Sequence, residues 1–451
     1  MNLLLWAKHN LRNIPPSIGK YLSMIPYGYR PGIGPSYRQR QRDIEQYSQL
    51  DSKARQKFIF ERIKKVLDFS VVYIPFYQKF YSDKGFHPSK LRHFESLQEI
   101  PVMSKKDLNL IELEFRSAIH SDRYLTNTGG SSGVPLNFYI QSSFMGTEWA
   151  HMHHIWQQYG FQVSDFKLLF IGVGTTDGKA IAYDFVRNSF MVNIYAQPEQ
   201  VISELRCIVK NYPIRFLHGY PSALYFFAIQ IESLAPDLRK ILSNSVKGVF
   251  LNSEFPQPHF RNTIEKVFGV PTLSWYGHTE RCVLAHEKEE KFLFYPMQTY
   301  GWVEAVQDSN GKSKLIGSSY YNFASPFIRY DTGDLIENCK FDSAGILNSF
   351  NIYDGRNGEF ILDKYLNQIS LTGLIFGRHH LLFDYTTCVQ VKQEIPGFST
   401  ILYVRSEGRL FPYNGLVSEF FDASNINVQF DFQEIAKPIL TNSGKLNLLI
   451  K

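Results

Sequence analysis

Residues 128–135 read Thr128-Gly129-Gly130-Ser131-Ser132-Gly133-Val134-Pro135, followed at once by Leu136-Asn137-Phe138-Tyr139-Ile140. Three glycines let backbone N–H groups approach an anion without side-chain obstruction. Thr128, Ser131 and Ser132 add hydroxyl donors, so the loop suits a polyphosphate. It does not fit a Walker loop, because Val134 and Pro135 stand where Lys and Ser/Thr are required. A dinucleotide fingerprint leads into a helix, whereas Pro135 followed by alternating Leu136, Phe138 and Ile140 predicts a strand. A Gly/Ser hairpin turn is the plain alternative.

Downstream of this loop the pattern is α/β. Buried strands are expected at 167–173, 214–218, 246–251 and 270–275, with helices near 200–211, 221–235 and 257–268. Strands alternating with helices predict a mostly parallel sheet. From about residue 300 the chain is strand-rich, with a hairpin signal at Ser309-Asn310-Gly311 and a turn at Asp354-Gly355-Arg356-Asn357-Gly358. Beyond that turn, alternating segments at 386–392 and 399–404 and a helix near 412–421 suffice for a small second domain.

Four more motifs fall at expected strand ends or turns, where open α/β sheets place their ligands. Asn252-Ser253-Glu254-Phe255-Pro256 ends one strand and Tyr276-Gly277-His278-Thr279-Glu280 ends the next. Thr279 can donate to a phosphate oxygen, and Glu280 is a hard oxygen ligand for Mg²⁺. The alternative for that motif is a helix start, with Thr279 as cap and Glu280 in the first turn. In Ile328-Arg329-Tyr330-Asp331-Thr332-Gly333-Asp334, the acid Asp334 can accept two hydrogen bonds from ribose hydroxyls. Asp354-Gly355-Arg356 is followed by Glu359, and Thr441-Asn442-Ser443-Gly444-Lys445 offers a lysine on a flexible tip.

Bulk properties set the frame. A chain of 451 residues, rich in Phe (37) and Tyr (27), can bury a large core in two or more domains. Its net charge of +6 is modest, but Arg30, Arg38, Arg40, Arg42, Lys53, Arg55, Lys57, Lys64 and Lys65 crowd the first hundred positions. That crowding fits either a solvated helical face or an anionic partner such as a membrane surface. Residues 54–69 carry Phe58, Ile59, Ile63, Val66 and Leu67 at helical spacing. Cys207, Cys282, Cys339 and Cys388 lack Cys-x-x-Cys spacing, which fits a reducing compartment. Lys8, His9 and Arg12 end the first apolar run too early for a signal peptide or a membrane span. The expectation is a cytoplasmic protein without nucleic-acid partners and with peripheral membrane association open.

The five motifs, in this order and spacing, resemble the adenylate-forming ligase superfamily of acyl-coenzyme A synthetases, luciferases and nonribosomal adenylation domains. Within it the chain is most similar to phenylacetate–coenzyme A ligase and its CapK-type capsule-biosynthesis relatives. Further marks of that branch are Gly219-Tyr220-Pro221-Ser222, Asn322 with Pro326-x-Ile328-Arg329-Tyr330, and Ile74-Pro75-Phe76-Tyr77. The likeness runs from about residue 14 to 451.

The resemblance implies a large N-terminal domain, 1–353, built on mostly parallel sheets with a small β-barrel-like part. It also implies a hinge at 354–358 and a small mobile α+β domain at 359–451. It implies ATP, Mg²⁺ and coenzyme A as ligands and a small carboxylic acid as substrate. Thr128, Gly129, Gly130, Ser131, Ser132 and Gly133 would then hold the β- and γ-phosphates. Ser253 and Glu254 would border the adenine, Tyr276 and Gly277 would lie along the base, Asp334 would hold the ribose, and Arg356 would lie nearby. Thr279 would touch the α-phosphate, Glu280 would bind Mg²⁺, and Lys445 would bridge the carboxylate and the α-phosphate. Tyr220, Pro221, Ser222, Trp275 and Gly277 would line the acyl pocket.

Three departures from the family pattern stand out. Gly358 occupies the hinge position usually held by Asp or Lys, Glu359 replaces a common Asp, and Asp331 stands where many members have Arg. Residues 283–300 hold His286 and no Cys, so the zinc of some relatives is not expected. Coenzyme A is the leading acceptor, with an amine or hydroxyl of a sugar or amino acid as the alternative. A catalytically inactive binding protein on the same fold is the third reading.

Overall fold

The computed structural model describes residues 14–30, 32–119, 122–128, 136–171, 179–309, 311–352, 360–371, 374–375, 378, 380–406, 408, 411–412, 416–439 and 448–450. The helices are α1 (Pro16–Leu22), α2 (Ser36–Ser48), α3 (Ser52–Tyr73), α4 (Pro75–Asp83), α5 (Lys105–Asn109), α6 (Phe144–Gln157), α7 (Pro198–Val209), α8 (Pro221–Leu234), α9 (Pro236–Ser245) and α10 (Pro258–Phe268). Strands β1 (Arg123–Asn127) and β2 (Asn137–Gln141) form a two-stranded antiparallel ribbon that flanks the glycine-rich stretch.

Twelve further strands make one mixed sheet: β3 (Phe166–Ile171), β4 (Ile181–Asp184), β5 (Ser189–Asn193), β6 (Ile214–Gly219), β7 (Gly248–Leu251), β8 (Thr272–Gly277), β9 (Leu284–Glu287), β10 (Leu293–Pro296), β11 (Gly301–Gln307), β12 (Ser313–Ser319), β13 (Tyr330–Phe341) and β14 (Leu347–Ile352). Its order is β11-β12-β13-β14-β10-β9-β8-β7-β6-β3-β5-β4. The block β5-β3-β6-β7-β8 is parallel, and every other pairing is antiparallel. The parallel half therefore matches the α/β expectation, and the strand-rich half continues the same sheet.

Two apolar layers sandwich the parallel block. On one face, Val201, Leu205, Leu224, Phe227, Leu242, Ile264 and Phe268 from α7 to α10 pack on Leu168, Leu217 and Val249. On the other, Trp156 of α6 stacks on Phe250, which stacks on Phe216, with ring centroids 4.8 and 5.0 Å apart. Such a continuous apolar strand run is what burial on both faces demands. α3 begins where the Asp51 side chain accepts from Ala54 N at 2.8 Å, and it buries Ile59, Ile63, Val66 and Leu67. It ends at Tyr73 because Pro75 follows, and Pro75 opens α4 as its first residue.

A third core lies in residues 361–448, where Ile361, Leu371, Leu374, Leu382, Val389, Val391, Ile401 and Phe421 pack together. It contains the pair β15 (Phe360–Leu362) and β16 (Gln368–Ser370) and a four-stranded sheet ordered β19-β18-β17-β20. Those four strands are β17 (Thr386–Ile395), β18 (Phe398–Arg405), β19 (Gln429–Glu434) and β20 (Leu449–Ile450). The helix expected near 412–421 is corrected: the described residues there hold one short 3₁₀ turn, Val417–Phe420, after Pro412. His380 is buried. Its ring stacks on Phe421 at 4.0 Å, and its Nε2 lies 2.7 Å from the Leu374 carbonyl. Among the described residues no helix is long and apolar enough to cross a membrane.

Candidate active site

Adjacent parallel strands β6, β7 and β8 end on one edge of the sheet. Gly219 is in register with Leu251, and Leu251 with Ser274. That alignment brings Gly219-Tyr220-Pro221-Ser222, Asn252-Ser253-Glu254 and Trp275-Tyr276-Gly277 side by side. Gly219 has φ +155°, and a Cβ there would lie 2.1 Å from the Phe170 carbonyl oxygen of β3, so a side chain cannot be accommodated. Ser253 is exposed at φ +67°, in the left-handed region. Glu254 Oε2 accepts from Ser222 N at 3.1 Å, binding the β7 loop to the N-terminus of α8. A carboxylate there is favoured by the helix dipole.

β13 reaches the same edge. Tyr276 OH donates to Asp334 Oδ2 at 2.6 Å, joining residues 58 apart in sequence. Four residues before Asp334, Tyr330 OH donates to Glu280 Oε1 at 3.0 Å. Thr279 and Glu280 sit in the turn between β8 and β9, with Thr279 half-buried and Glu280 buried. The helix-start alternative for this motif is therefore set aside, because the chain reverses directly into β9.

The turn is charged. His278 Nδ1 lies 3.2 Å from Glu280 Oε2, an ion-pair distance. Burial would raise the Glu280 pKa, but His278 overcomes it and Lys105, at the start of α5, adds to the pull, bringing the carboxyl down to about 2. Burial works against a charge on His278, yet Cys282 and Glu280 hold its pKa well above the usual imidazole value. Cys282 Sγ is 3.6 Å from His278 Nε2, and burial pushes that thiol up. Lys105 carries no motif signal. Its segment docks on the β13 start, with Met103 N donating to the Arg329 carbonyl at 2.9 Å and Asp331 N to the Met103 carbonyl at 2.8 Å. Asp331 faces Lys314 at 2.8 Å.

Thr128 is buried, and its Oγ1 accepts from Leu136 N at 3.0 Å while its own N donates to the Leu136 carbonyl at 2.9 Å. These two bonds close the neck of the glycine-rich stretch. Gly129, Gly130, Ser131, Ser132 and Gly133 lie outside the described residues, as do Arg356, Gly358, Glu359 and Lys445. β2 is pinned to the segment before β13: Tyr139 N donates to Ser325 Oγ at 3.0 Å and Asn322 Nδ2 to the Tyr139 carbonyl at 2.9 Å.

The expected acyl-pocket residues divide into buried Tyr220, Pro221 and Ser222, half-buried Trp275 and exposed Gly277. One neighbour was not singled out from sequence. His218, the penultimate residue of β6, lies 5.0 Å from the Trp156 ring and 5.5 Å from that of Trp275. Its Nε2 is buried with no hydrogen-bond partner among the described residues, and burial, aided by Lys167 and Arg187, lowers its pKa to about 3. The imidazole is neutral, and only the residue's place at a strand end hinted at it. His151, on α6, packs inward with ring nitrogens 2.8 Å from the Thr147 carbonyl and 3.1 Å from Thr299 Oγ1, whereas His154 is exposed. Among the described residues no group of three or more His, Cys, Asp or Glu could hold a metal by itself. A single buried, ionised carboxylate such as Glu280 still fits Mg²⁺, which is commonly bound by one or two carboxylates together with substrate phosphates.

No family model matches the chain. Protein CapK of Staphylococcus aureus is 24% identical over 255 residues, a match covering 54% of this chain and 54% of CapK. The match thus spans about half the length of that curated relative. Among solved structures, 2-hydroxyisobutyryl-CoA ligase in complex with 2-HIB-AMP and CoA, in its thioesterification state, is similar with a TM-score of 0.56 at 16% identity, covering 89% of this chain and 90% of that one. The same ligase in the postadenylation state with R3-HIB-AMP gives 0.53 at 16% identity, covering 88% and 89%. The likeness shows that the chain has the fold of the adenylate-forming ligases.

Proposed function

We propose, starting from the adenylate-forming ligase fold, that this chain activates a carboxylic acid with ATP and then transfers the acyl group to coenzyme A. A carboxylate oxygen attacks the α-phosphorus, the bond to pyrophosphate breaks, and an acyl-adenylate forms. A thiol sulfur then attacks the acyl carbon, and AMP leaves with the bonding electrons. The carrying observation is the linkage of Tyr276 to Asp334 and of Tyr330 to Glu280, which gathers two separated segments at the sheet edge.

In this reading Tyr276 lies against the base and Asp334 accepts from the ribose hydroxyls. Ser253, Glu254 and Gly277 border the adenine. Thr128 and the stretch from Gly129 to Gly133 receive the β- and γ-phosphates on backbone N–H groups. Thr279 donates to the α-phosphate. Glu280, ionised and held by His278 and Tyr330, would bind Mg²⁺, which when present neutralises phosphate charge. Lys445 stabilises the charge shared between carboxylate and α-phosphate, an effect commonly worth about 10²–10³ in rate. Residues 1–353 form the large unit, 354–358 the hinge with Arg356 beside the nucleotide, and 359–451 the mobile unit. Tyr220, Pro221, Ser222 and Trp275 line the acyl pocket.

The likeness to 2-hydroxyisobutyryl-CoA ligase, whose solved complex contains CoA, supports coenzyme A as acceptor. The CapK-type resemblance of the motifs implies a second acceptor, an amine or hydroxyl of a sugar or amino acid in surface-polysaccharide assembly. One experiment separates them: pyrophosphate release across a panel of carboxylic acids, with and without coenzyme A. The expected result is acid-dependent release with a thioester product. Release without thioester supports the sugar acceptor. Failure of every acid, together with no ATP binding, overturns the proposal and leaves an inactive binding protein.

A further inference from the structure

The first 42 residues contain Lys8, Arg12, Lys20, Arg30, Arg38, Arg40 and Arg42 and no acidic residue; the first acid is Asp43. Among the described part of this stretch, large apolar side chains stand open to solvent: Ile18 is 54% exposed, Tyr21 65%, Met24 75%, Ile25 41% and Tyr29 60%. Five such residues fall within twelve positions, and exposed apolar side chains clustered in this way mark interaction sites.

The segment that carries them is built, not loose. Arg30 is buried and donates to the carbonyls of Ser23, Ile25, Val186 and Val163, tying the loop to the body of the protein. Gly19 lies so close to Tyr183 that a Cβ would fall 2.3 Å from its ring, which fixes the inward side of α1. Ile18 and Tyr21, three apart on α1, share a face. Charge surrounds the patch. Lys20 is exposed with Nζ 5.0 Å from the Tyr21 ring. Arg38 lies 4.3 Å over the Tyr29 ring and donates to its hydroxyl at 2.6 Å. Arg42 follows one helical turn after Arg38 on α2 and is exposed. Arg40 is the exception, buried and paired with Asp43 at 2.9 Å.

We infer that this surface docks the protein on an anionic phospholipid bilayer, with Ile18, Tyr21, Met24, Ile25 and Tyr29 entering the headgroup region and Lys20, Arg38 and Arg42 facing the lipid charge. Amphipathic basic surfaces with aliphatic and aromatic residues bind membranes in this way, as peripheral attachments without a spanning helix. A nucleic-acid partner would use the basic residues but leaves the exposed aliphatic trio Ile18, Met24 and Ile25 without a role. The surface does not depend on the proposed reaction.

The test is co-sedimentation of the full chain with vesicles of phosphatidylcholine alone and of phosphatidylcholine mixed with phosphatidylglycerol. Binding is expected to the anionic vesicles and to weaken as salt rises. Replacing Lys20, Arg38 and Arg42 by Gln should weaken it about five-fold per charge, on the order of 100-fold together. Ile18→Ser with Met24→Ser and Ile25→Ser should weaken it at least ten-fold at unchanged charge. These side chains are exposed, so an unchanged melting midpoint verifies the fold of each variant. Ile395→Ser, an exposed apolar residue of β17, serves as the control that leaves binding intact. Equal binding to neutral vesicles, or variants that bind like the parent, overturns the inference. Displacement from vesicles by duplex DNA together with indifference to the aliphatic substitutions would reassign the surface to nucleic acid and also overturn it.

Discussion

His278 and Glu280 form a buried pair whose charges support each other, and this makes their stability contribution a function of pH. The Glu280 carboxyl titrates near 2 in the fold instead of near 4.5, so its contribution is present above about pH 4.5 and is lost as the pH falls towards 2. The His278 pKa is raised, so its contribution is full below its ordinary 6.5 and declines as the pH rises through the elevated value. The pair therefore stabilises most between about pH 4.5 and 6.5. Unfolding free energies from urea titration of the parent and Glu280→Gln should differ by on the order of 2 kcal/mol at pH 6, and the gap should close as the pH falls below 4. A gap independent of pH would deny the pairing. His218 makes the opposite case. His218→Phe removes a buried nitrogen that has no partner among the described residues while keeping ring contacts with Trp156 and Trp275, so it should stabilise by about 1 kcal/mol. Loss of stability instead would mean that Nε2 has a partner such as a buried water.

Among the elements, α10 depends on one buried ion pair for its seat. Arg261 donates to both Glu287 oxygens at 2.6 and 2.9 Å, to Thr272 Oγ1 at 2.8 Å and to the Thr272 carbonyl at 2.9 Å, joining α10, β8 and β9. Glu287 also accepts from Ser274 N and Phe292 N. Arg261→Ala strands that carboxylate, and thermal unfolding should report a loss of about 3–5 kcal/mol. Much at this scale was legible in sequence. The ends of β6, β7 and β8 could be read because Gly219, Asn252 and Gly277 punctuate apolar runs. Short β4 and β5 were missed, since four and five residues around a polar turn carry too little period. The helix expected at 412–421 failed because Pro412 and Gly415 punctuate an apolar stretch that only imitates helical spacing. The Tyr276–Asp334 and Tyr330–Glu280 bonds were not legible, because the order of strands in the sheet decides which distant residues meet.

For the molecule as a whole, the proposed chemistry requires a lysine from the C-terminal unit to serve a site on the large sheet. Lys445→Ala should abolish acid-dependent pyrophosphate release while leaving ATP binding within a few-fold. Undiminished release would remove Lys445 from the mechanism. The order of the five motifs was what made the whole fold legible, since each taken alone is an ordinary turn. The core of residues 361–448 meets the large sheet's helices and loops, since Arg378 lies 4.6 Å over the Tyr195 ring and Phe226 meets Phe360 at 6.3 Å.

The turn that carries Thr279 and Glu280 is held at both ends by the same sheet, Gly277 being in register with Leu284. It behaves as a span resting on two abutments, not as a cantilever. The entropy of fixing the Glu280 carboxylate is consequently lost once, when the chain folds, and would not be demanded again at each encounter with the nucleotide of the proposed reaction. A site arranged in this way is ready before its ligand arrives.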